Sequence, residues 1–118
     1  MPNIKGQMED EITKALIRWE REYLGRGPTE AKTDVLRNMV IVSLKGVLSQ
    51  AEYHLAQSAE GMALIKRLRQ QLVEQGRSDL EEIICRVTGL KVVSLHTDIS
   101  TKTGERIFVF ILEKEVDK

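Results

Sequence analysis

One segment constrains the fold more than any other. Between Glu105 and Glu113, Ile107, Val109 and Ile111 alternate with Phe108, Phe110 and Leu112. A strand places successive side chains on opposite faces, so a run that is apolar at both sets of positions needs cover on both sides. Val35 to Leu44 makes the same demand and reads as a single strand: Leu36, Val40, Val42 and Leu44 oppose Val35, Met39 and Ile41. Lys91 to Ile99 differs. There Val93, Leu95 and Ile99 alternate with Ser94, His96 and Asp98, which gives this strand one polar face. The five residues Ser100 to Gly104 join the last two strands as a hairpin loop, with Gly104 where a positive φ is needed.

The helices follow from period and caps. Ile4, Met8, Ile12, Leu16, Trp19 and Tyr23 recur at three- and four-residue spacing, which predicts a helix over residues 4–24 that Gly25 and Pro28 end. Ser49 and Glu52 have capping-box spacing and open a short helix ending near Gln57. From Ser58 to Thr88 one stripe, Ile65, Leu68, Leu72, Gly76, Leu80, Ile83 and Val87, stays in phase. It predicts one long helix with a weak point at Gly76; a second capping box at Ser78–Glu81 keeps two helices in line as the alternative. Cys85 falls in this stretch and reads as a small core residue, and the tail from Glu113 reads as frayed.

The order is helix, strand, helix, helix, strand, strand. It predicts an α+β fold, a two-layer domain over residues 1–118 with a three-stranded, mostly antiparallel sheet packed on helices. One long helix covers one sheet face. The other face requires either the N-terminal helix, packed on its own chain or swapped onto a partner, or a second copy; the surplus apolar surface points to a homodimer.

Charge excludes some functions. The 118 residues carry 18 Lys and Arg against 18 Asp and Glu, and no segment concentrates either sign. Neither a nucleic acid nor an anionic membrane surface is the expected partner. The chain has one Cys, so it has no internal disulfide, and no Cys–His spacing fits a metal. No cofactor motif is present. No apolar run reaches the roughly 20 residues of a membrane span and no leader is evident, so the expected location is cytoplasmic, without membrane insertion.

Gly25-Arg26-Gly27-Pro28, Asn38 to Leu48, Ala51-Glu52 with Leu55-Ala56, and Val92 to Glu105 together resemble the MpsC-like family of small bacterial proteins, over residues 8–113. His96 to Glu105 is the most specific part. The resemblance implies a link to a Na⁺-translocating, membrane-potential-generating system whose membrane components are tied to bicarbonate uptake. It carries over no catalytic residues.

Three constellations have chemistry to offer. Arg26 and Gly27, with Lys32 following, read either as a cap and stiff turn or as a cradle for a small anion such as bicarbonate. His96 and Asp98 share a strand face with Ser94; lying on one strand, they read as a polar face or a ligand sensor rather than a triad with an opposed nucleophile. Ser100, Thr101, Lys102 and Thr103 crowd three hydroxyls and an ammonium into one loop, either to brace the turn or to meet an anion or protein. Lys66 to Arg69 reads as a solvated helix face. The expected function is a non-enzymatic regulatory or accessory protein, a homodimer that binds a partner such as a membrane transporter, or a small anion. The alternative is a small enzyme with Arg26, His96, Asp98 and Lys102 gathered at a dimer interface.

Overall fold

The computed structural model describes residues 4–116. The N-terminal residues before Ile4 and the last two residues of the charged tail lie outside it. The elements run α1 (Ile4–Leu24), β1 (Glu30–Leu36), β2 (Met39–Lys45), α2 (Gln50–Leu55), α3 (Ala59–Gln75), α4 (Arg77–Thr88), β3 (Val92–Ile99) and β4 (Arg106–Leu112). The class is α+β. The sheet has four strands rather than three, in the order β1-β2-β4-β3, and every neighbouring pair is antiparallel.

The extra strand comes from splitting the segment read as one strand. Leu36 pairs with Met39, leaving Arg37 and Asn38 as a two-residue hairpin turn. Arg37 takes φ 57°, a left-handed conformation that this kind of turn normally assigns to glycine. β1 itself alternates Glu30, Lys32 and Asp34, all exposed, with buried Thr33 and Val35. It is an edge strand, and α1 seals part of its edge: the Glu9 carboxylate accepts a hydrogen bond from Val35 N–H at 2.8 Å.

All the core positions of the sheet lie on one face. Val40, Val42 and Leu44 of β2 and Phe108, Phe110 and Leu112 of β4 are buried against Ile12, Leu16 and Trp19 of α1, Ile65 and Val73 of α3, and Leu80 and Ile84 of α4. α1 therefore packs on its own chain, on the core side. Met39, Ile41, Ile107, Val109 and Ile111 on the opposite face stay only half-buried.

The helical region is two helices meeting at Gly76. The Ser78 box does not form; Gly76 is the N-cap of α4, without a side-chain hydrogen bond. The inward face of α3 is Ile65, Arg69 and Val73, while Leu68 is 52% exposed, so the stripe read from sequence is rotated by about one residue. Cys85 is exposed, outside the buried set Leu80, Ile83 and Ile84. Val93 is exposed as well, because a bulge between Val92 and Ser94 breaks the alternation of β3. The chain after β4 is anchored: Glu113 N–H donates to Lys91 O at 3.0 Å, and Val116 packs on the core.

Gly76 is needed for close approach. A Cβ there would lie 2.7 Å from Trp19 Cζ2, on an indole stacked with Tyr23 and set edge-on to Phe108. Gly76→Ala is expected to cost about 1–3 kcal/mol by overpacking, despite alanine's better helix propensity. Urea unfolding checks this; an unchanged midpoint would show that the indole moves aside freely.

Candidate functional site

β4 begins where the sheet core meets polar side chains from three helices. Arg106, the first residue of β4, shares its face with Phe108 and is 2% exposed. Its guanidinium carbon stands 5.4 Å from the Phe108 ring centroid, and Nη1 donates to Thr97 Oγ1 at 2.7 Å. The Thr97 hydroxyl in turn donates to Ile107 O at 2.8 Å. Arg106 Nε finds no acceptor among the described residues. A guanidinium carries five N–H donors, so this one is under-satisfied for so buried a position.

Two more charges close around it. Glu20 of α1 is 1% exposed, and its Oε2 has no hydrogen-bond partner among the described residues. Burial pushes its carboxyl up to about 7, against the opposing pull of Arg106 and Arg69. Burial likewise brings Arg106 down to about 10, with Glu20 working against that and the like charge of Arg69 adding to it.

Arg69 is buried and well paired. It holds Glu52 with Nε–Oε2 at 3.0 Å and Nη2–Oε1 at 2.6 Å, and Nη2 also donates to Val47 O at 2.9 Å. Glu52 is at the same time the capping-box residue of α2, accepting from Ser49 N–H at 2.8 Å. Burial works to raise the Glu52 carboxyl, but the hydrogen bonds from Arg69 and Ser49 prevail and hold it below the ordinary range.

A cleft of about 390 Å³ opens between α3 and β3, with Arg106 among its lining residues. Lys66, Gln70 and Glu74 form its α3 wall, and Leu95 to Ile99 form the other. Lys66 Nζ meets Asp98 Oδ1 at 3.4 Å. The Asp98 carboxyl is held low first by the Ile99 N–H at 2.8 Å and then by Lys66.

The residues singled out by sequence scatter: two adjacent clefts hold most of them, and the rest lie elsewhere. His96 and Asp98 line this cleft, and Ser100, Thr101 and Lys102 line a neighbouring one that also contains Asp98 and Lys66. The loop hydroxyls largely brace the turn: Ser100 Oγ accepts from Thr103 N–H, and Thr103 Oγ1 from Glu105 N–H. Arg26 lines neither cleft; its Nη1 donates to Leu48 O at 2.6 Å, which makes the 25–28 turn a brace against the α2 approach. Gly27 is half-buried beside Arg21 and Ile17, with room for a Cβ in ordinary contact and no positive φ. Lys32 is exposed on β1, the opposite edge of the sheet from His96. Ser94 Oγ does lie 3.2 Å from His96 Nε2, a hydroxyl–imidazole contact made within one strand across the side-chain period of two. Glu20 and Arg106 escaped the sequence reading, and Arg69, read with Lys66 as part of a solvated helix face, is instead turned inward and buried.

Residues 4–114 match the family described as the Na⁺-translocating membrane potential-generating system (MpsC). The chain belongs to the MpsC family. It is 51% identical to the uncharacterized protein YbcI of Bacillus subtilis (strain 168) over 118 residues, spanning all of this chain and 95% of that one. It is 26% identical to the uncharacterized protein YrhF of the same organism over 113 residues, 92% of this chain and 89% of YrhF. No solved structure gives a significant match. Among the described residues of this MpsC-family chain, no helix is long and apolar enough to cross a membrane.

Proposed function

We propose that the chain is a non-enzymatic accessory protein of a Na⁺-translocating, membrane-potential-generating system, and that it holds a small anion in the α3–β3 cleft. The observation that carries this reading is Arg106: a buried guanidinium lining a polar cleft, with one hydrogen bond and an unpartnered Nε among the described residues. A planar oxyanion such as bicarbonate matches the guanidinium fork, and Lys66, shared with Asp98, offers an ammonium from the facing wall, while Glu74 and Asp98 keep the rest of the lining acidic and favour a small singly charged anion. Bicarbonate is favoured by the family context, and Arg106 would equally take a carboxylate. The accessory role is supported by a second surface. Leu55, Leu64 and Leu68 line an apolar groove of about 490 Å³ on another side of α3, where a protein component of the system can dock.

The test is thermal stabilisation by bicarbonate, acetate, phosphate and chloride at fixed ionic strength. An anion at about 100 times its Kd should add about 2.7 kcal/mol, and Lys66→Ala should weaken binding several-fold without lowering the ligand-free Tm. Glu20 sets the pH dependence. Its charged form competes with the anion for the field of Arg106, while Arg69 is neutralised by Glu52. Binding of acetate, which keeps its charge over this range as bicarbonate and phosphate do not, should therefore tighten several-fold as pH falls from 8 to 6. No response to any of these anions would end the anion reading, and a response that ignores Lys66 and pH would move the site elsewhere.

A further inference from the structure

The half-buried sheet face has an arrangement of its own. Across it, Lys32, Ser43, Ile107 and Asp98 form one row; Asp34, Ile41, Val109 and His96 form the next; Leu36, Met39, Ile111 and Ser94 form the third. The two central strands are apolar in almost every row, and both edges are polar except at Leu36. Among the described residues no helix packs on this face, since the core clusters on the other; only Lys66 of α3 reaches round the β3 edge to Asp98.

We propose that a second copy of this chain covers it, the two sheets stacking face to face about a two-fold axis parallel to the strands. That operation lays β1 of one copy over β3 of the other. Lys32 then faces Asp98 of the second copy, Asp34 faces His96, Ile41 faces Val109 and Met39 faces Ile111. Lys32 and Asp98 meet as opposite charges at both edges, Asp34 meets an imidazole, and apart from Ser43 against Ile107 apolar side chains fill the middle. The other way of stacking two identical sheets, with the axis across the strands through the middle row, lays each strand on itself. It would set Asp34 on Asp34 and His96 on His96, so the charge pattern selects the first. Asp98 is available, its side chain 79% exposed despite the contact with Lys66, and Lys32 is 78% exposed.

The size of the face sets the class of interface. Four strands spaced ~4.8 Å apart and seven residues at ~3.3 Å each make a footprint of about 20 × 23 Å. Two such faces bury roughly 1,000 Å², below the standard range for stable interfaces and in the size class of weak, reversible complexes. This inference does not depend on anion binding; its readout is mass.

Sedimentation equilibrium of the full chain from 1 to 200 µM should show conversion from 13.4 kDa to twice that mass. Val109→Lys should stay monomeric with its helical circular dichroism intact. Lys32→Glu, at an exposed position where folding is safe, should weaken the dimer about tenfold, and adding Asp98→Lys should recover it. In a Cys85→Ser background, a bismaleimide of about 10 Å should join Lys32→Cys chains to Asp98→Cys chains only when the two are mixed, since stacked sheets lie ~10 Å apart. A 13.4 kDa species throughout, a dimer indifferent to both charge and Val109 variants, or cross-linking of Lys32→Cys chains with themselves would each overturn the proposal.

Discussion

Glu20→Gln is expected to stabilise the protein by about 3 kcal/mol at pH 7–8 and to add nothing near pH 4.5. The side chain is 1% exposed, and burial raises its carboxyl to about 7 from the ordinary value of 4.5. In that window the folded state holds a proton the unfolded chain releases, so wild-type stability falls as pH rises from about 4.5 to about 7. A shift of this size corresponds to about 3 kcal/mol at ~1.4 kcal/mol per unit. Glutamine keeps the shape and removes the titration, so its Tm should exceed wild type by roughly 10 °C at pH 8 and the two should converge in acid. The attraction of Arg106 for a charged Glu20 acts in the opposite sense. A Gln variant less stable than wild type at pH 8 would mean that this attraction outweighs burial and that the pair is a true internal ion pair.

Arg69→Met is expected to cost about 3 kcal/mol. It removes a two-point contact to Glu52 and a hydrogen bond to Val47 O, and leaves a carboxylate with only 16% of its side-chain surface exposed. Breaking one partner of a buried pair usually costs about 3–5 kcal/mol, and the residual exposure of Glu52 places this case at the lower end. Because the Glu52 carboxyl is held low, the pair's contribution is full above the unfolded carboxylate pKa and disappears as pH falls through the folded one. The Met variant should lose that acid-side slope. Adding Glu52→Gln should recover part of the loss, since glutamine still serves the α2 cap and no charge is stranded. Urea titrations at pH 7 and pH 4 read both effects, and a Met variant within 1 kcal/mol of wild type would show the pair to be dispensable.

Periodicity revealed what is regular in this chain. The α1 stripe, the Ser49–Glu52 box, the β3–β4 hairpin and the positive φ at Gly104 all follow from spacing and residue type. Each departure has a local cause. Arg37 occupies a turn position where glycine is the usual signal, so β1 and β2 read as one strand. Three exposed charges on β1 imitate a linker, and the bulge at Val92/Ser94 inverts Val93. The site was hidden for a different reason. Glu20 and Arg69 are charged residues in ordinary amphipathic helices, Arg106 opens a strand that is apolar on both faces, and single-element patterns place charges in water. Only the tertiary packing of α1, α3 and β4 turns all three inward.

The strand order has a kinetic meaning. β1–β2 and β3–β4 are local hairpins, closed by two and six intervening residues, but the β2–β4 seam joins chain segments separated by about sixty. Hairpins form in roughly microseconds, whereas a loop of that length carries about 3–4 kcal/mol of closure entropy before any seam contact compensates it. The helical excursion between them is correspondingly tolerant, because doubling its length adds only about 0.6 kcal/mol. A one-residue change of register in either hairpin has no such latitude. It would exchange the two faces of a strand, sending Phe108 and Phe110 outward and Val109 in, so heritable variation in length is confined by topology to the segment that carries the helices.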